Sequence, residues 1–173
     1  MSETRLTPTS YIVFGLVEQL QPVTAYTLKQ AAAVSVTNFW SLPHTQLYSE
    51  CGRLAEAGYL SERREESGRR RRIYRLTRKG SDALDRWRSE ATAELYEVRD
   101  AGILKLYFGA DPAQLAERQV DAHKRKLKEY EAQLAACAQI DAPSQVMLAI
   151  EAGIGHEREY VRFWSKLAQT PSS

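Results

Sequence analysis

Cysteine and histidine are scarce in this chain, and the few present are scattered. Its two cysteines, Cys51 and Cys137, lie far apart with no CxxC spacing, which argues against a disulfide framework or zinc module and fits a reducing compartment. The three histidines, His44, His123 and His156, form no HxH, HExxH or CxxH pattern, so no metal site is expected. GxSxG, the Walker loop and GxGxxG are also missing. The glycine-containing runs Ala152-Gly153-Ile154-Gly155 and Phe108-Gly109 read as close helix packing and a helix stop. Neither catalysis nor a cofactor is expected. No segment approaches the roughly eighteen apolar residues a membrane span needs. The N-terminal segment has a partly apolar stretch but neither a basic flank nor a small-residue cleavage site. The expectation is a soluble cytoplasmic protein.

Charge is what the chain distributes unevenly. Its net charge is only +2, with 43% hydrophobic residues among 173, enough for one domain or two small ones. Residues 1–60 carry three basic and four acidic side chains, a net of −1. Residues 61–88 carry eleven and five, a net of +6, and residues 89–173 carry ten and thirteen, a net of −3. Basic charge is therefore concentrated in one short central segment. From Gly68 to Lys79 there are seven basic residues (Arg69, Arg70, Arg71, Arg72, Arg75, Arg78, Lys79) and no acidic one.

Periodicity places helices on both sides of that segment. Thr7-Pro8 is a helix start, a threonine cap followed by a proline whose missing N–H costs nothing in the first turn. Tyr11, Ile12, Phe14, Leu16, Val17 and Leu20 follow at helical spacing. Gln21-Pro22-Val23 ends this helix, and Thr24 caps a second that stops near Val34-Ser35-Val36-Thr37. Pro43 opens a third, closed at Gly58 by a left-handed cap. Leu47, Cys51, Leu54 and Ala57 form its inward face. His44, Thr45, Gln46, Ser49 and Arg53 point outward, with Tyr48 at the border. Tyr59-Leu60 and Ile73-Tyr74-Arg75-Leu76 read as strands of a hairpin around Ser67-Gly68. Thr77 caps a fourth helix carrying Leu84, Trp87, Ala91, Leu95 and Val98.

The remainder reads as helix throughout. Residues 99–108 stop at Gly109, Asp111-Pro112 opens a long segment to about Ile140, and Asp141-Ala142-Pro143 restarts the chain. Met147, Ile150, Ile154, Val161, Trp164 and Ala168 then share one stripe, with Glu157 as its polar member; a stripe of this kind wants a partner helix. The fold class is mainly α with a small β-hairpin wing, a winged helix–turn–helix plus a C-terminal helical dimerisation domain. Residues 1–88 form the DNA-binding domain, 89–110 connecting helices and 111–173 the dimerisation domain.

The order helix–helix–helix–hairpin–helix directs attention to two elements. The third helix is the candidate reader of the major groove. Gln46 suits adenine, Tyr48 and Ser49 suit phosphates, and His44, Thr45 and Arg53 complete its polar face. The wing, Arg69 to Arg72, offers planar forks of donors to a phosphate backbone or a minor groove. Trp87, Tyr96, Tyr130 and Trp164, with Tyr107 and Phe108, are either dimer and domain core or the lining of a pocket for a flat apolar molecule.

The residues from Thr45 through Tyr59-Leu60, then Gly68-Arg-Arg-Arg-Arg-Ile-Tyr-Arg-Leu-Thr-Arg-Lys-Gly80, closely resemble the PadR family of bacterial transcriptional regulators. Ala25-Tyr26-Thr27-Leu28 and Phe39-Trp40 fit as well, with Ala25 where the family usually has glycine. The resemblance covers residues 9–88. The rest, with Leu104-Lys-Leu-Tyr-Phe-Gly109 and a last helix bearing Trp164, is similar to the C-terminal domain of the virulence-activator-like branch. The resemblance implies a homodimer on a two-fold-related double-stranded DNA operator, acting as a repressor and responding to a small planar apolar effector. An activator, a regulator without ligand and a winged-helix protein–protein module are the alternatives.

Overall fold

Helix starts fall where the capping residues put them. In the computed structural model, which describes residues 4–65, 71–95, 97 and 99–169, α1 spans Pro8–Leu20 with Thr7 as its cap. The Thr7 N–H donates to Ser10 Oγ at 2.8 Å, satisfying a donor that the helix start leaves free. Helix α2 (Ala25–Ala33) is capped by Thr24, whose hydroxyl accepts from the Thr27 N–H at 3.2 Å. A 3-10 turn at Val36–Asn38 absorbs the β-branched run after it. Helix α3 (His44–Glu56) follows Pro43, and Gly58 closes it at φ 77°, a left-handed position that costs a glycine little.

The sheet has one strand more than expected. Beside the hairpin strands β2 (Leu60–Arg64) and β3 (Arg72–Leu76), the two residues Val23–Thr24 form β1, all antiparallel in the order β1-β3-β2. Numbering in chain order thus places β1 between α1 and α2. Two residues show too little alternation to read as a strand, and Thr24 is also the α2 cap. Just past β1's pairing with Tyr74 and Ile73, the Gln21 side chain takes the Leu76 N–H at 2.8 Å. Both edges of β3 are thereby occupied, and the wing grows from the middle of a sheet.

Helix α4 (Arg78–Ser89) is shorter than its apolar spacing predicts. Ala91 and Leu95 lie outside it, with Leu95 91% exposed, and Val98 is outside the described residues. A helix this short owes its stability to the face it packs, and here the buried face ends with Gly80, Ala83 and Leu84. Between residues 89 and 110 the one described helix is α5 (Ala101–Tyr107), capped by Asp100.

The chain divides into two compact units, Met1–Glu94 and Leu95–Ser173. In the first, α1, α2, α3 and α4 wrap one core in which Phe14, Val17, Leu28, Leu47, Leu54 and Leu84 are almost wholly buried, each contributing about 1.5–3 kcal/mol. In the second, α6 (Pro112–Gln139) and α7 (Ser144–Leu167) pair as a hairpin. Trp164 is fully buried and Tyr130 is 6% exposed. Gly153 lets the Tyr130 ring lie against α7, since a Cβ there would stand 2.9 Å from its Cζ. His123 Nδ1 meets Glu157 at 2.6 Å, which accounts for the polar member of the α7 stripe. No helix among the described residues is long and apolar enough to cross a membrane.

Gly80 is the most closely approached of the described glycines in the first unit. A Cβ there would lie 2.3 Å from the Tyr59 carbonyl oxygen and 2.7 Å from Leu76 Cδ1. Gly80→Ala is expected to cost about 1–3 kcal/mol in urea unfolding. Gly15→Ala, with nothing within 4 Å, is expected to add about 0.5–1 kcal/mol by removing backbone freedom from the unfolded chain.

Candidate nucleic-acid interface

The outward face of α3 is polar for most of its length. Thr45, Gln46, Tyr48 and Ser49 are exposed, Tyr48 at 44%, while Leu47, Cys51 and Leu54 turn inward. The Ser49 hydroxyl lies 3.1 Å from the Thr45 carbonyl and 3.0 Å from that of Gln46. Its proton is committed to the helix, and its lone pairs remain for an external donor. The His44 side chain lies outside what is described. Burial pushes the Cys51 thiol up to about 12, so it stays a neutral core group.

Arg53 is part-exposed, its side chain 37% open, and its donors are engaged by neighbouring groups. Its Nε and Nη2 bind the two Glu50 carboxylate oxygens at 2.8 and 2.6 Å, Nη2 reaches Ser10 Oγ at 3.1 Å, and Nη1 donates to the Arg5 carbonyl at 3.0 Å. Ser10 Oγ in turn donates to Glu50. Glu50 is only 9% exposed, yet spacing alone marks it as simply another polar residue beside the inward face. The pair ties α3 to α1 and spends the Arg53 donors inside the unit.

The wing is a twisted ladder of arginines and glutamates. Across β2 and β3, Leu60 faces Leu76, Glu62 faces Tyr74 and Arg64 faces Arg72. Beyond the strands the Glu65 N–H donates to the Arg71 carbonyl at 3.1 Å. Of the predicted wing residues, Arg71 and Arg72 are placed here and exposed; Arg69 and Arg70 lie outside the described residues. Arg63, Arg64 and Arg75, also exposed, share the hairpin. The alternation of side chains along a strand was the signal for Arg63 and Arg64, had the strand been extended past Leu60. Lys79 is engaged within the fold instead. Its ammonium donates to the Ala57 carbonyl at 2.8 Å and sits 4.0 Å over the Tyr59 ring.

The aromatic candidates are divided between the two units. Trp87 stacks on Tyr11 at 4.8 Å in the first unit and stays 47% exposed. Tyr130 and Trp164 belong to the second unit, and Tyr96 lies outside the described residues.

The Glu50 clamp has a pH signature. Burial raises the Glu50 carboxyl, but the hydrogen bonds from Arg53 and Ser10, with the Arg53 charge, outweigh it and hold the group below its ordinary value. A depressed carboxylate stabilises the fold above its unfolded value, and that contribution is lost as pH falls through the folded one. Glu50→Gln is expected to cost about 1–3 kcal/mol at neutral pH, reduced by the partial exposure of Arg53. Its unfolding free energy should then fall less steeply than the parent's as acid is added below about pH 4.5. Urea titrations across pH check both.

Known proteins share the sequence pattern of the first unit and the fold of the chain. Residues 13–86 match the model of the Transcriptional regulator PadR-like family. The negative transcriptional regulator PadR of Bacillus subtilis is 27% identical over 100 residues, covering 57% of this chain and 54% of that protein, so the match spans about half of the relative's length. The crystal structure of Bacillus subtilis PadR in complex with operator DNA is similar with a TM-score of 0.83 at 22% identity, covering 96% of this chain and 99% of that one. Its complex with p-coumaric acid gives 0.73 at 20%, covering 95% and 97%. The virulence activator AphA of Vibrio cholerae gives 0.67 at 18%, covering 92% and 95%. These structures share the fold, a winged helix followed by a helical domain. The match to the PadR-like family model lies within the first unit and covers less than half of the chain.

Proposed function

We propose that the chain is a cytoplasmic, homodimeric transcriptional repressor that binds a two-fold-related operator in double-stranded DNA. The observation that carries this reading is the exposed polar face of α3, Thr45, Gln46, Tyr48 and Ser49, followed at once by a wing bearing Arg63, Arg64, Arg71, Arg72 and Arg75. A helix with short polar groups at its N-terminal end suits the major groove. Arginines on an adjoining hairpin suit the flanking phosphates, as would Arg69 and Arg70 at its tip. The operator complex of Bacillus subtilis PadR supports the DNA partner, and the negative role of the Bacillus subtilis relative supports repression.

The second unit is the proposed dimer contact. Leu104, Tyr107 and Phe108 of α5 and its C-cap, Ile140 beyond α6 and Leu148 of α7 are all exposed by more than half, an apolar load suited to a partner copy. The effector proposed is a small planar apolar acid, in keeping with the p-coumaric acid complex of Bacillus subtilis PadR. It would act by binding one dimer arrangement better than the other.

Binding to duplexes from the region upstream of the protein's own gene, followed by fluorescence anisotropy against salt, tests the reading. Replacing Arg71 and Arg72 by alanine is expected to flatten the slope of log affinity against log salt by up to about 0.9 per arginine. Gln46→Ala is expected to cost about 1–3 kcal/mol on the preferred sequence and little elsewhere. Absence of any salt-dependent, sequence-preferring binding by the unmodified chain would overturn the proposal. Sedimentation of the full chain should give a dimer. Deleting residues 111–173 should abolish it, and a stable dimer after that deletion refutes the assignment of the interface.

A further inference from the structure

The wing arginines carry their own anions. Arg64 Nε lies 3.5 Å from one Glu62 oxygen and Arg72 Nη1 lies 3.3 Å from the other, while Arg71 Nε meets Glu65 at 2.9 Å. The carboxylates are the less open partners, with side-chain exposures of 21% and 25%. The arginines stay open at 50–65%. Register explains the arrangement. Arg64 and Arg72 are directly opposed on one face of the hairpin, where two like charges repel. Glu62, two residues along the same face, reaches both. Each guanidinium gives a donor to a carboxylate, Arg72 also bonds the Tyr74 side chain, and the other donors remain for another acceptor.

An ion pair this exposed is weak, so its carboxylate holds an arginine loosely enough for a phosphate to displace it. The displaced carboxylate then remains close to the incoming phosphate. An arginine already neutralised by a carboxylate also offsets less of the phosphate charge, so fewer counterions are released when DNA arrives. Resting on the proposed DNA-binding function, we infer that Glu62 and Glu65 act as built-in phosphate competitors that hold down the wing's sequence-independent affinity for DNA. Arg64, Arg71 and Arg72 remain the groups that touch phosphate, and the two glutamates set how strongly they do so. Affinity is thereby shifted from the wing, which cannot read sequence, towards α3, which can.

The test compares the full-length protein with Glu62→Gln, Glu65→Gln and the double variant on a labelled duplex of arbitrary mixed sequence across a salt series. Each glutamine keeps the side-chain shape and removes the charge. For each carboxylate removed, the salt slope is expected to steepen by about 0.9, and affinity at 0.1 M salt to rise about fivefold to tenfold. Thermal melts by circular dichroism show that each variant is folded; Glu65, past the end of β2, can be replaced without touching the strand pairing if Glu62→Gln is not. Unchanged slopes in folded variants overturn the inference, as does weaker binding, which would mean that the glutamates serve to hold the arginines in a binding pose. Failure of the unmodified chain to bind any duplex removes the proposed function itself, a result distinct from either.

Discussion

The bonds that Glu50 and Arg53 of α3 make to Ser10 and the Arg5 carbonyl hold the pose of the helix on which everything else relies. The proposed reading of DNA needs α3 presented at a set angle, and an apolar face alone does not set that angle. Directional bonds remove that freedom. Arg53 and Glu50 meet Ser10 on α1 and the Arg5 carbonyl before it, so rotation of α3 would break several charge-assisted bonds at once. The core beneath, from Phe14 to Leu54, supplies stability without direction. The clamp supplies direction.

Electrostatic design differs between the two ends of the same surface. At α3 the one arginine is bonded to its neighbours, and the N-terminal half presents the uncharged Thr45, Gln46, Tyr48 and Ser49. On the wing, arginines are abundant and only loosely occupied by glutamates. The first arrangement suits recognition by geometry, where a long flexible cation would tolerate many sequences. The second suits attraction, where reach and charge matter more than position. Net charge follows the same division along the chain, since the excess of basic residues is confined to residues 61–88.

Helix starts were legible in the sequence because capping is local chemistry. Thr7, Thr24, Thr77 and Asp111 each cap the helix expected of them, and Gly58 and Gly109 take the left-handed conformation. The Tyr130 and Trp164 stripes were legible because periodicity survives without knowledge of the partner. What escaped was set by tertiary contact. β1 exists because β3 offers it an edge, and nothing in Val23-Thr24 says so. α4 stops at Ser89 although Ala91 and Leu95 continue the spacing, because spacing does not say whether a core is there to receive them. The engagement of the Arg53 donors was hidden because a sequence does not show that Ser10, more than forty residues earlier, stands opposite.

The junction between α3 and α4 behaves as a mechanical coupling. Lys79 holds the Ala57 carbonyl at 2.8 Å, and the Thr77 hydroxyl lies 2.8 and 2.9 Å from the Gly58 and Tyr59 carbonyls. The closing turn of one helix and the opening turn of the other are thus riveted together across the base of the hairpin, with Gly80 pressed against Tyr59. A displacement of the first turn of α4 therefore acts directly on the closing turn of α3.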